Sequence, residues 1–151
     1  MSELSELYQE MILDHNKNPR NFGQIENPNY HAEGHNPLCG DEIDLDIRVN
    51  EDGVIEDVKY KCQGCAISKA SASIMSTILI GKTVVEAKNL FERFHDSVTS
   101  DTGSEVDTVN LGKLAVFAGV REFPARIKCA SLPWHTLMGA LKNKENVVTT
   151  E

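Results

Sequence analysis

The chain has 151 residues, of which 23 are Asp or Glu and 15 are Lys or Arg, so its formal net charge is -8. A chain of this charge repels a phosphate backbone, and no cluster of Lys and Arg makes a local exception, so nucleic acid is not an expected partner. No apolar run approaches the roughly 20 residues that a membrane-spanning helix needs, and no membrane is expected either.

The length fits a single domain over residues 1–151, because a chain of this size buries about two thirds of its surface on folding. The first seven residues, Met1 to Leu7, lack the basic and apolar regions of a secretory signal, so the cytoplasm is the expected location. In that reducing compartment, four cysteines indicate metal binding or thiol chemistry rather than disulfide bonds.

The N-terminal third is predicted to hold one helix and one long loop. Residues 3–15 place apolar side chains at helical spacing, with acidic side chains on the other side, and Asn18-Pro19 ends this helix. The segment from there to Pro37 contains Pro and Gly with little periodicity, which predicts an extended loop with at most one short strand.

Two strands are predicted next. Residues 43–49 and 54–62 each alternate apolar and polar side chains, and turn residues from Asn50 to Gly53 lie between them. This pattern predicts an antiparallel hairpin with one apolar face, which helices must cover.

The rest of the chain reads as mainly helical. We expect a helix of small residues from Cys65 to Gly81, and a second helix from Thr83 to about Val98, opened by a capping box with Glu86. A short helix over 111–118 and a last helix over 132–143 with Pro133 in its first turn should follow, before a frayed tail over 144–151. The predicted fold class is α+β, with a small three-stranded antiparallel sheet covered on one face by about five helices and a metal site at its exposed edge.

Three cysteines lie where predicted elements meet. Cys39 precedes the first hairpin strand, Cys65 lies between a strand and a helix N-terminus, and Cys129 follows a segment, 123–128, that reads as a loop. Together with Asp41 they could fill a tetrahedral site, of which zinc is the commonest occupant. Free cysteine is also a frequent core residue, and spacing alone leaves both interpretations open.

Cys62 and Cys65 form a C-x-x-C pair. A zinc ribbon needs a second such pair, and a thioredoxin-like redox site needs a βαβ context, neither of which the sequence offers. The five histidines, His15, His31, His35, His95 and His135, lack paired metal spacing. We expect them to be solvated or hydrogen-bonded, and His35 is the one that stands nearest a cysteine in the sequence, four residues before Cys39.

Several separated segments resemble the U-type iron-sulfur cluster assembly family, the NifU N-terminal and IscU-like proteins. They are Leu38-Cys-Gly-Asp41, Gly64-Cys-Ala-Ile-Ser68 with the helix of small residues behind it, Arg126-Ile-Lys-Cys-Ala-Ser131, and Asp14 to Asn21. They occur in the family's order and span nearly the whole chain. The resemblance therefore favours convergence of the cysteines over the core interpretation.

Within the family the sequence is more similar to the SufU branch than to the IscU branch. The residue before the last cysteine is Lys128 where IscU proteins have His, and Glu122 to Arg126 replaces the Leu-Pro-Pro-Val-Lys segment that a dedicated Hsp70 reads. The resemblance implies that Cys39, Asp41, Cys65 and Cys129 bind zinc and that Arg126 lies where the partner docks. Cys62 is not part of the family's pattern. It is either a bystander or a substitute ligand in place of Asp41.

The same resemblance implies a function in iron-sulfur cluster assembly. A SufU-like protein would accept persulfide sulfur on Cys39 from a cysteine desulfurase of the SufS type and pass it towards a downstream iron-sulfur scaffold. The alternative is that the same ligands assemble and transfer a [2Fe-2S] cluster, with iron in place of zinc, since three thiolates and a carboxylate can hold one.

Overall fold

The computed structural model describes residues 3–37, 40–99, 114, 116–117, 124–142 and 145–149. In these ranges the helices are α1 (Glu3–Lys17), α2 (Ala66–Leu79), α3 (Val84–Thr99) and α4 (Pro124–Lys142). The strands are β1 (Tyr30–Asn36), β2 (Asp41–Val49), β3 (Ile55–Gln63) and β4 (Glu145–Thr149).

The strands form one sheet in the order β3-β2-β1-β4. Strand β2 pairs antiparallel with both β1 and β3, so the predicted α+β class with a three-stranded antiparallel sheet is confirmed. The fourth strand, β4, pairs parallel with β1 over His31 to His35. It occupies the segment expected to be a frayed tail, because β1 offers an edge whose backbone groups can bond to it.

The predicted hairpin is present as β2 and β3. Along β2, Ile43, Leu45 and Ile47 are buried while Glu42 and Asp44 are exposed, as the period-two pattern predicts. Leu45 lies opposite Tyr60 in the register. The apolar side chains of both strands therefore face the same core.

Helices α2 and α4 cover this apolar face and contact each other. The small buried side chains of α2, among them Ala70 and Ala72, suit a helix packed closely between a sheet and a neighbouring helix. Gly34 of β1 likewise allows α4 to pack closely on the sheet, because a Cβ at this position would collide with Thr136 and lie 3.1 Å from Leu132.

The start of α3 confirms the predicted capping box. The backbone N–H of Glu86 donates to Thr83 Oγ1, and the backbone N–H of Thr83 donates to Glu86 Oε1, both at 3.1 Å. These reciprocal bonds satisfy two amide groups that a helix start leaves open.

The last helix differs from the prediction. Helix α4 begins at Pro124, so residues 124–128 are helical instead of part of a loop, and Pro133 lies inside the helix rather than in its first turn. Proline fits the first helical position, where Pro124 stands, because an N–H there has no helical partner. Burial of Leu132, Trp134 and Leu137 against the core holds the helix together across Pro133.

The predicted helix over 111–118 lies mostly outside the described residues. Of that segment, Leu114, Val116 and Phe117 are described, and all three are buried in the core. Within the described ranges, every helix is too short or too polar to cross a bilayer.

Candidate metal centre

Three potential ligands from three different elements meet at one end of the sheet. Oxygen of Asp41 and the sulfur atoms of Cys65 and Cys129 all lie within 4.8 Å of one another. Asp41 is 1% exposed, Cys129 is 2% exposed, and Cys65 is half-buried. Cys39, the fourth ligand in the sequence prediction, lies outside the described residues.

The end of the sheet positions Asp41. It is the first residue of β2, opposite Asn36, the last residue of β1. Its Oδ1 accepts a hydrogen bond from the backbone N–H of Cys65 at 2.8 Å, and its Oδ2 accepts one from Asn36 Nδ2 at 3.2 Å. Both oxygens of this buried carboxylate are therefore fixed in direction.

Gly64, directly after β3, allows the backbone at this point to approach Asp41 closely. Its φ of +146° lies in the region that favours glycine. A Cβ at this position would lie 2.9 Å from Asp41 Cα and collide with the carboxylate. Any larger residue would push Asp41 out of the group.

Cys65 is the N-cap of α2. Its Sγ accepts the backbone N–H of Ser68 at 3.5 Å, and it lies 3.9 Å from Asp41 Oδ2. The Ser68 hydroxyl is 3.7 Å from the same sulfur.

Cys129 lies in the second turn of α4 instead of after a loop. Asn36 Nδ2 donates to its Sγ at 3.6 Å. Pro133 has no N–H to donate to the carbonyl of Cys129, four residues earlier. Arg126 is exposed one turn before Cys129, and Lys128 beside it is half-buried.

The three atoms suit a tetrahedral metal ion. In a site with Zn–S near 2.3 Å and Zn–O near 2.0 Å, sulfur and oxygen ligands are about 3.5 Å apart, close to the 3.9 Å between Cys65 and Asp41. The buried carboxylate of Asp41 has only neutral donors among its described hydrogen-bond partners. A bound cation would supply the missing counter-charge. The residues present therefore fit a divalent metal, with room in a tetrahedral set for one more ligand.

Cys62 does not join this group. It is 8% exposed on the core side of β3, and its Sγ lies 4.0 Å from the Ser68 hydroxyl. Burial raises the pKa of the Cys62 thiol to about 11, which keeps it protonated at neutral pH. The described part of the chain thus places Asp41, and not Cys62, with Cys65 and Cys129.

The histidines lie away from the group. His15 bonds Ser73 Oγ at 2.7 Å, His31 bonds Asp46 at 2.6 Å, and His35 lies 3.8 Å from Glu42. His95 and His135 pack with Phe91 between α3 and α4. In the described residues, the group of three potential ligands contains no histidine.

Asn36 is the residue at this site that the sequence reading missed. It is fully buried and donates to two of the three potential ligands. Its position directly before Pro37 and the first cysteine segment was the available signal, but only the pairing of β1 with β2 brings it to Asp41.

Comparisons with known proteins show which family the chain is similar to. Residues 7–130 match the NifU-like N terminal domain. The chain is 39% identical over 145 residues to the zinc-dependent sulfurtransferase SufU of Bacillus subtilis, covering 95% of each protein. It is 38% identical over 146 residues to the iron-sulfur cluster assembly scaffold protein IscU of Streptococcus pyogenes, covering 97% of this chain and 89% of that protein.

A solved structure extends the likeness to three dimensions. FiSufU of Fervidobacterium islandicum, described as a candidate iron-sulfur cluster assembly scaffold protein for the SUF system, superposes with a TM-score of 0.81 at 39% identity. The match covers 90% of this chain and 97% of that one. With the family match over most of its length and these relatives, the chain belongs to the NifU-like N-terminal domain family, which includes SufU and IscU.

Proposed function

We propose that this member of the family is a zinc-bound sulfur acceptor, which takes persulfide sulfur from a cysteine desulfurase of the SufS type for iron-sulfur cluster biogenesis. The observation that carries the proposal is the meeting of buried Asp41 with the sulfur atoms of Cys65 and Cys129 within 4.8 Å. The likeness to a relative named as a zinc-dependent sulfurtransferase supports it.

Four residues would hold the metal in this proposal. They are Asp41, Cys65, Cys129 and Cys39, which precedes Asp41 by two residues in the sequence. A bound zinc ion would keep its cysteine ligands deprotonated at neutral pH. A carboxylate makes a harder contact to zinc than a thiolate does, so a site with Asp41 should exchange more readily than one with four cysteines.

Cys39 is the proposed acceptor. Its thiolate attacks the terminal sulfur of the desulfurase persulfide, so a bond forms between Cys39 Sγ and that sulfur. The sulfur–sulfur bond on the desulfurase breaks, and its cysteine leaves as a thiolate. The sulfur atom changes carrier, and the step needs no external oxidant or reductant.

The partner surface would include the first turn of α4. Arg126 is exposed there, one turn from Cys129, so a protein that docks on Arg126 would contact the chain beside the metal group. The acquired sulfur would then pass to a downstream iron-sulfur scaffold.

Desulfurase activity with wild-type protein and with Cys39→Ala tests the sulfur step. Wild-type protein should stimulate release of alanine from cysteine by the SufS-type enzyme, and Cys39→Ala should not. The matched control is Cys62→Ala, which removes a thiol outside the group and should stimulate as wild type does. Full stimulation by Cys39→Ala would contradict the acceptor role.

A second function is favoured by the relatives named as IscU scaffolds. The same ligands could assemble and transfer a [2Fe-2S] cluster. Anaerobic purification, metal analysis and a visible spectrum separate the two functions. Zinc without colour supports the sulfur acceptor, and iron with charge-transfer bands supports the scaffold.

A further inference from the structure

Asn36 connects two of the three potential metal ligands through one amide group. Its Nδ2 donates to Asp41 Oδ2 at 3.2 Å and to Cys129 Sγ at 3.6 Å. Strand β1 holds the backbone of Asn36 opposite Asp41 in the sheet register, and the side chain is fully buried. The amide is therefore fixed relative to both ligands.

The oxygen of the same amide group is not satisfied in this way. Asn36 Oδ1 is buried and has no hydrogen-bond partner among the described residues. An orphaned buried acceptor costs stability, so this asparagine is not a favourable choice for the fold alone. The reverse amide orientation would point oxygen at the Asp41 carboxylate and be repelled, so the N–H groups must face the ligands.

We propose that Asn36 is a positioning residue of the metal site, which holds Asp41 and Cys129 in the geometry that retains the ion. This role rests on the metal site of the proposed function. Its N–H groups fix the direction of the Asp41 carboxylate and withdraw electron density from the Cys129 sulfur. Asn36 thereby stabilises the group as a set of anions and sets how tightly it keeps its metal.

Asn36→Ala is the test, with the full chain loaded with zinc and, separately, with cobalt. Outer hydrogen-bond partners of metal ligands commonly contribute 10- to 100-fold to affinity, so competition with a chelator should show zinc affinity lowered about 10-fold or more. Loss of the N–H donor also raises the energy of the Cys129 lone pairs. The thiolate-to-cobalt charge-transfer band should therefore move to lower energy.

Ser71→Ala is the matched control. Ser71 Oγ donates to the carbonyl of Ala130 at 2.6 Å, so this variant also loses a buried hydrogen bond next to Cys129. Among the described residues, Ser71 makes no hydrogen bond to any of the three ligand atoms, so the zinc affinity and the cobalt band of this variant should match wild type.

An unmoved cobalt band in Asn36→Ala would overturn the positioning role, even with weaker zinc binding, because loss of structure alone explains the latter. Zinc affinity within about twofold of wild type would overturn it as well. A wild-type protein that binds neither metal would instead contradict the proposed function, so the two failures are distinguishable.

Discussion

Asp41 stands at the centre of the site because it combines burial, negative charge and two directed hydrogen bonds. The Cys65 N–H and the Asn36 amide hold its two oxygens, and Gly64 leaves the space for it. Neutral donors alone compensate only partly for burying a carboxylate. A cation bound between Asp41 and the two sulfur atoms would complete that compensation.

Substitution of Asp41 by Ala should lower zinc affinity by at least about 10-fold, since loss of a direct ligand costs no less than loss of an outer partner. Asp44→Ala is the control, because Asp44 lies on the same strand with its side chain exposed. Cys62→Ala should retain zinc, since its sulfur lies outside the group. Bound zinc measured after gel filtration, with chelator titration, checks all three variants.

The opposite pattern of zinc loss in these variants would reverse the assignment of the ligand. Complete zinc loss in Cys62→Ala with none in Asp41→Ala would mean that Cys62 is the ligand and Asp41 the bystander. That outcome would require Cys62 to leave its buried position beside Ser68.

At the scale of elements, α4 and β4 complete the structure after the hairpin. Helix α4 carries Cys129 and covers β1 and β2, and β4 follows it along the outer side of β1. Since β1 ends at Asn36, opposite Asp41, β4 supports the strand that supplies the buried amide to the site.

Deletion of residues 145–151 should lower the melting temperature by several degrees, because β1 would lose its pairing from His31 to His35 and become an edge strand. Deletion of residues 150–151 alone, beyond β4, serves as the control. Thermal unfolding followed by circular dichroism checks both. Equal melting temperatures for the two truncations would indicate a frayed tail instead of a strand.

The sequence predicted those elements whose pattern is local. The buried apolar positions Ile43, Leu45 and Ile47 and the Thr83–Glu86 capping box appear in the structure as expected. The expected wet face of this strand is only partly present, because Asp46 is buried as well. Strand β4 was not predictable, since its five residues become a strand only by pairing with β1. The early start of α4 was missed because Pro133 resembles a first-turn proline, and the packing of Trp134 and its neighbours decides otherwise.

The whole molecule brings the potential ligands together over long stretches of chain. Asp41 begins a strand, Cys65 caps one helix and Cys129 lies within another. Only the packing of α2 and α4 on the sheet brings the three together. Residue type and family resemblance indicated which residues are the potential ligands, but the hydrogen bonds that orient these ligands depend on the fold. Asn36 shows this most clearly, because only the pairing of β1 with β2 brings it to Asp41.

The most direct measurement is anomalous diffraction at the zinc edge from crystals of the zinc-loaded protein. We expect one strong peak, about 2.3 Å from the sulfur atoms of Cys65 and Cys129 and about 2.0 Å from an oxygen of Asp41, with Cys39 as the fourth ligand. A zinc-loaded protein with no peak between these residues, or with a peak that excludes any one of them, would contradict the proposed site.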